Sequence, residues 1–559
     1  MLNRLNNKSL SQQQILYFVL CFSGILFPSL LFSSFPYFEN GLLGFAEKLL
    51  HRPLTRNVWL ERFSMWRSEY LFAFTATGFL LIILNCFNIY IQNLKTETIC
   101  KLIAFISFIF MFLWANHSSL WLDELFTVKW SAGSILDNIY SKLKFEEAAP
   151  PLFGIISTIW YHIAPYGERY LLLVSIIPIT ASIYIVGLIG NKAGGKISAV
   201  YSSLFLSISY LAWTNGAWEF RPYAYMVLFS SLSVYFFILR NENKTDFKYK
   251  LIYSFCLVFL AMTHYFGMIA VLMLFLCGEV YLIIKKETNF KTILEYFPAG
   301  ILSLIWFAIL ILYGSKNVTT NLDDWYPIPQ FGHFRDMIMT LAGGNHFAFI
   351  ILILSIFYSV AMILLKCAKK TKSFQIREDM LFLANSVILL MLAALFLYGN
   401  IRTSKTMWQD RYFMSLLPFT AISCGIFVET ILSITKKKFL IHSFVKFLCI
   451  LFFMTALFYN TRAVYTYKQA NPYREAAIWL QQQNDVTNKD VIITATADDL
   501  LIKGWNEYYI THQGKLRSLN ICSIKELIEN KNVYQKIYDD NNKMVKPYEK
   551  INIKESIYK

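Results

Sequence analysis

Leu102-Ile103-Ala104-Phe105-Ile106-Ser107-Phe108-Ile109-Phe110-Met111-Phe112-Leu113-Trp114 runs, after a short polar stretch, into Leu120-Trp121-Leu122-Asp123-Glu124. The first segment carries no charge. With its flanks, over 101–118, it is long enough as a helix to cross ~30 Å of hydrocarbon. The pair Asp123-Glu124 is then expected at the mouth of that crossing. Two carboxylates placed there are costly against low-dielectric surroundings unless they are solvated or serve chemistry.

Similar runs recur along the 559 residues, of which 56% are hydrophobic and 16% charged. Mean hydropathy is +0.44. A soluble chain of this size would carry about 25% charged residues. Inside lipid every backbone group needs an internal partner, so helices are expected rather than open sheets. The reading is an all-α polytopic membrane protein with about thirteen spans. They fall near 15–34, 70–92, 101–118, 168–189, 197–213, 222–239, 250–263, 266–284, 293–313, 347–365, 379–399, 412–434 and 440–459. The stretch from Leu251 to Ile284 is too long for one crossing and is divided near His264.

The formal charge of +16 does not point to nucleic acid. Its lysines cluster in short connections between spans, where they set orientation. Lys192 and Lys196, Arg240 to Lys250, Lys285 to Lys291, Lys366 to Arg377 and Lys436 to Lys438 mark one side as cytoplasmic. The connections between them are poorer in lysine, which leaves the C-terminus outside. The loop from about Phe35 to Arg67 breaks the rule with Lys48, Arg52, Arg56, Arg62 and Arg67, and reads as an amphipathic surface helix or as misplaced first spans. The nine cysteines lie mostly in or beside apolar runs and show no metal-ligand spacing, so no disulfide framework is expected. The run from Ile15 to Phe32 has no clear cleavage site after it and reads as a first span rather than a signal peptide.

Three domains follow: 1–100, extra spans and the basic outer loop; 101–459, the membrane core with a large outer loop at 117–167; and 460–559, a small extramembrane α/β domain. Within that loop, Pro151 to Ile163 reads as a helix lying in the outer interface. Lys316 to His346 reads as a long outer loop. In the last domain Pro472 to Gln483 and Ser523 to Asn530 read as helices, the second capped by Ser523, and Asp490 to Ala497 as a buried strand.

Polar singularities gather at the outer ends of the spans: Asp123-Glu124, Glu146-Glu147 before Pro150-Pro151, Glu219-Phe220-Arg221-Pro222-Tyr223, Thr263-His264-Tyr265-Phe266-Gly267, and Asp410-Arg411-Tyr412. Each has a plainer reading. The acids can be solvated helix ends, the arginines snorkelling anchors beside tyrosines, and His264 an interfacial hydrogen-bonding residue. Gathered on one side at one depth, they would instead line a single polar cavity. For a sugar on a lipid phosphate, the substrate that the family resemblance given below implies, the leaving group is already present. Transfer of the sugar needs a base for the acceptor hydroxyl, for which Asp123 is the candidate. It also needs cations for charge growing on the phosphate, for which Arg221 and Arg411 suit. Asp123, Glu147 and His264 are compatible with a divalent cation, although their spacing does not demand one.

In that order these motifs resemble the bacterial relatives of protein O-mannosyltransferases (glycosyltransferase family 39). These are GT-C-fold enzymes using polyprenyl-phosphate sugars, with the aminoarabinose transferases of lipid A as cousins. The likeness runs from about Leu120 to Tyr509, and includes Asn471-Pro472-Tyr473-Arg474-Glu475-Ala476-Ala477. It implies catalytic acids at Asp123, Glu124 and Glu147, donor-phosphate contacts at Arg221, Arg411 and His264, and substrate-lining positions at Glu219, Tyr223, Tyr265 and Tyr412, with no metal ligand assigned. It further implies a polyprenyl-phosphate donor, a glycan, lipid or protein acceptor, and a multi-pass place in a bacterial inner membrane with the C-terminal domain periplasmic. Two departures stand out: Ala149 where the family often has His, and Glu147 where Asp is common. The alternatives are a transporter or flippase, whose charges would sit near the bilayer midplane, and a polysaccharide polymerase or ligase.

Overall fold

Cys100, Ala104, Ser107 and Met111 recur at intervals of three and four, and form the buried stripe of α1 (Thr96–Trp114). The other faces of α1 are apolar and exposed, Phe105, Phe110 and Leu113 among them. A helix buried on one narrow stripe and apolar all round has lipid as its solvent. The computed structural model describes residues 94–438, apart from 116–118, 145–148, 166, 289, 314–328, 345, 370–375 and 403–407. Beyond these it describes parts of 441–449, Arg474, 491–494, Tyr508 and 520–523. The expected spans at 15–34 and 70–92, the basic loop between them, and most of 440–459 lie outside the described residues.

After α1 come three short helices, α2 (Leu122–Ser131), α3 (Ile135–Lys144) and α4 (Leu152–Ile163). They are tied by buried Asn138, whose amide donates to Thr158 Oγ1 at 2.8 Å and to Gly154 O at 3.3 Å. Ser131 Oγ donates to Ser157 Oγ at 2.9 Å beside it. The helix expected over 151–163 is α4. Asp123-Glu124 is placed differently from the expectation: the pair does not end α1 but opens α2. Trp121 is extended there, and its N–H donates to Glu124 Oε2 at 2.9 Å, closing the first turn of a new helix. The positive end of the helix dipole favours both carboxylates in that turn.

Helix α5 (Leu173–Ser207) contains Gly195 at φ +81°, where the helix breaks and the chain doubles back. Ser203 Oγ donates to Ile183 O at 3.0 Å across the two legs. The two spans expected at 168–189 and 197–213 are these legs. A Cβ on Gly190 would lie 2.8 Å from Ser198 O, so glycine sets how closely they approach. Helix α6 (Tyr223–Glu242) follows, then α7 (Phe247–Thr263) and α8 (Tyr265–Ile284). His264 separates the last two with an extended backbone, φ −162° and ψ 156°, at the expected division.

The remainder is α9 (Phe297–Tyr313), α10 (Phe331–Leu341), α11 (His346–Lys369), α12 (Ile376–Arg402), a 3-10 turn over Asp410–Leu416, and α13 (Leu417–Thr435). Helix α10 lies inside the stretch expected to be only loop. Helix α13 is the most buried of the apolar helices and packs along α5, where Gly425 comes against Ser198 and Ser202. Among the described residues six helical segments are long and apolar enough to cross a membrane. This is a multi-pass membrane protein. In the C-terminal region β1 (Val491–Thr494) pairs in parallel with β2 (Asn520–Ser523), Val491 opposite Asn520. Strand β1 is the expected one. Ser523 ends β2, and the helix expected after it lies outside the described residues.

Candidate active site

The break at Trp121 turns the first turn of α2 toward the starts of α6 and α13. Asp123 projects from that turn. Its Oδ2 accepts from Arg411 Nη1 at 2.7 Å and lies 3.9 Å from Arg221 Nη2. These three residues come from segments about a hundred and nearly three hundred positions apart, yet they share one partly buried cluster. Arg221 is held further by neutral acceptors: its Nη1 donates to Thr127 Oγ1 at 3.1 Å and to Asp123 O at 3.3 Å. Thr127 stands one helical turn beyond Asp123 and donates to Asp123 O at 3.0 Å. Arg411 has its guanidinium 5.1 Å from the centre of the Trp121 ring and 5.5 Å from that of Tyr412. Stacking of this kind sets the plane of a guanidinium.

Glu124 differs from its neighbour. It is fully buried, and its two oxygens accept from the N–H groups of Trp121 and Phe220, at 2.9 and 2.8 Å. The solvent-facing option for this residue is corrected by that burial: the carboxylate joins α2 to the segment that carries Arg221. Glu219 is also fully buried rather than lining an open cleft. Its Oε1 accepts from Asn215 Nδ2 at 2.7 Å and its carbonyl accepts from Ser175 Oγ at 2.7 Å. A π-turn over Ala212–Ala217 presents Asn215 to it.

The rings of His264, Tyr412 and Phe266 close one wall, backed by Tyr223. His264 stacks on Tyr412 at 5.5 Å and lies 5.8 Å from Tyr223; Phe266 stacks on Tyr412 at 5.1 Å. His264 Nδ1 accepts from Phe266 N–H at 3.2 Å. That bond assigns the ring proton of a neutral imidazole to Nε2. Tyr223 is buried behind this wall, only 1% exposed. Tyr265 is not part of it: its ring stacks on Phe307 of α9 at 5.9 Å and its hydroxyl bonds Trp306. Glu147 lies outside the described residues. Among the described residues no group of three or more His, Cys, Asp or Glu stands close enough to hold a metal ion. Trp121 and Thr127 were not singled out as chemistry from the sequence. The four-residue spacing of Asp123 and Thr127 is their signal, legible only once a helix is known to begin at Leu122.

A polytopic helical core with short helices on one rim is the GT-C fold expected from the sequence. The solved structures of ArnT share that fold. Residues 148–313 match the family described as dolichyl-phosphate-mannose-protein mannosyltransferase. ArnT from Cupriavidus metallidurans bound to undecaprenyl phosphate is similar with a TM-score of 0.50 and 10% identity, over 78% of this chain and 91% of that one. The apo state of ArnT gives 0.51 and 10%, over 78% and 90%. The apo oligosaccharyltransferase of Archaeoglobus fulgidus gives 0.47 and 12%, over 71% and 59%. No curated protein matches in sequence. The matched family segment contains Arg221 and His264 but neither Asp123 nor Arg411, which join the cluster through the fold.

Proposed function

We propose that the chain is an inverting glycosyltransferase that moves a sugar from a polyprenyl-phosphate donor to an acceptor hydroxyl on a glycan, lipopolysaccharide or protein. The observation that carries this reading is the meeting of Asp123 with Arg411 and Arg221 in one cluster. In the reaction Asp123 takes the acceptor proton as the hydroxyl oxygen attacks the anomeric carbon. The bond from that carbon to the phosphate oxygen breaks, and its electron pair stays on the phosphate. Arg221 and Arg411 stabilise the charge that grows there. Glu124 is a positioning residue in this scheme, and so is Thr127. The wall of His264 and Tyr412 shields one side of the sugar. The prenyl tail remains in lipid, which suits a site at the end of membrane helices. The similarity to ArnT, whose complex contains undecaprenyl phosphate, supports the same donor class.

The same reading places the site, Glu147 and the C-terminal region (460–559, an α/β domain containing β1 and β2) on the periplasmic face of a bacterial inner membrane. The lysine-rich connections support that orientation. Mass spectrometry of lipids co-purified with the full chain tests the donor class. The expected result is a polyprenyl phosphate or its sugar conjugate retained by the wild type and depleted in Arg221→Ala and Arg411→Ala. Retention of bulk phospholipid alone in all three would contradict it.

A further inference from the structure

We propose that Asp123 and the donor phosphate compete for Arg411, so that the base is released to act only as a lipid phosphate takes that guanidinium. This deepens the reading above and rests on it: the cluster must be a polyprenyl-phosphate site.

The two arginines are not equivalent. Arg221 lies 3.9 Å from the Asp123 carboxylate, and one of its nitrogens is already committed to Thr127 Oγ1 and to a backbone carbonyl. Neither of those two contacts is made to the carboxylate. Arg411 makes the short contact, 2.7 Å, to Asp123 Oδ2. Its Nε is buried, as is that of Arg221, so the fork of Arg411 that can close on a phosphate is Nη1 with Nη2, and the Asp123 contact occupies Nη1. The Oδ2 that accepts from Arg411 is also closed to an acceptor hydroxyl along that direction. Transfer of Arg411 from Asp123 to a phosphate therefore gives both halves of the reaction what they need. The leaving group gains its cation, and the carboxylate oxygen is opened to the acceptor hydroxyl. The Trp121 and Tyr412 rings keep the guanidinium plane in reach of both partners, 5.1 and 5.5 Å from its centre. The kinetic consequence is order: the donor binds first, and the acceptor hydroxyl is deprotonated only in its presence.

The test is a double-mutant cycle read by binding, with a sugar-free polyprenyl phosphate as probe and the full-length protein in detergent. The four proteins are wild type, Asp123→Asn, Arg411→Ala and the double variant. Competition predicts that Asp123→Asn binds the probe more tightly, by roughly tenfold for one released charge-assisted contact. It also predicts that this gain disappears when Arg411 is already alanine. An equal gain in both backgrounds would show simple repulsion between carboxylate and phosphate, and would overturn the proposal. So would an unchanged or weaker affinity for Asp123→Asn, even if Arg411→Ala weakens the wild type and the donor reading stands. If none of the four binds the probe, the donor reading itself falls. Asp123→Ala is the second variant and must follow Asp123→Asn; thermal unfolding midpoints near that of the wild type establish that the variants are folded.

Discussion

At the scale of residues, two adjacent carboxylates are separated in role by their surroundings. Asp123 keeps partial exposure and faces cations. Glu124 is buried and spends both oxygens on backbone N–H groups. Glu124→Gln replaces one acceptor by a donor that faces an N–H. It is expected to destabilise the fold by about 1–3 kcal/mol, the cost of a buried group left without its partner. Its kcat should fall with little change in KM for donor, because donor contacts are elsewhere; unfolding midpoints and steady-state kinetics check the two halves. The series of polar motifs at span ends was legible in the sequence, because charged residues beside apolar runs stand out. Which motif members face the site was not. Glu219 and Tyr265 resemble lining residues in the string of letters, but the π-turn at Ala212–Ala217 and the packing of α9 decide where they point.

At the scale of elements, glycines measure how closely helices pack. A Cβ on Gly425 of α13 would meet Ser202 N at 2.7 Å and Ser198 O at 2.8 Å, both backbone atoms of α5. Gly300 of α9 has nothing within 4 Å. Gly425→Ala is therefore expected to lower the unfolding midpoint of the purified protein, with a cost of about 1–3 kcal/mol for overpacking. Gly300→Ala should raise it, by up to about 1 kcal/mol from helix propensity. At the far end of α6 from the site, Arg240 is buried. It bonds Glu279 at 2.7 Å and Glu295 at 3.0 Å, tying α6 to α8 and to the start of α9. Arg240→Ala leaves two acids without their cation and should cost about 3–5 kcal/mol, seen as lost yield and a lowered midpoint. Helix periods and breaks were readable in outline, since apolar runs and His264 mark them. The new helix at Leu122 was not readable, because Leu120-Trp121-Leu122 continues the apolar character of α1 and only the extended backbone of Trp121 reveals the break. Helix α10 was hidden by the Pro- and Asp-rich stretch before it.

At the scale of the molecule, the C-terminal region and the membrane core meet at a charge pair. Arg474, in the segment that resembles the outer domain of the family, donates to the nearly buried Glu168 at 2.8 Å. Glu168 starts a short helix leading into α5, and α5 carries Ser175, which takes no part in the site itself but donates to the carbonyl of buried Glu219, two residues before Arg221. Arg474→Ala is expected to lower the unfolding midpoint, at a cost of about 1–3 kcal/mol for exposing one partner, and to lower transfer without removing it. The membrane-protein class was plain from composition alone, and the parallel pairing of β1 with β2 was not, because long-range pairing leaves no local signal. The central claim concerns Asp123 acting on a lipid-linked sugar. Its most direct test is transfer in membranes containing equal amounts of wild-type or Asp123→Asn protein, supplied with a panel of polyprenyl-phosphate sugars. The account predicts that at least one donor is consumed, that its sugar appears on an acceptor with inverted anomeric configuration, and that Asp123→Asn lowers this by about a hundredfold or more. Transfer that survives the substitution at the wild-type rate, or no donor consumed by the wild type, would contradict it.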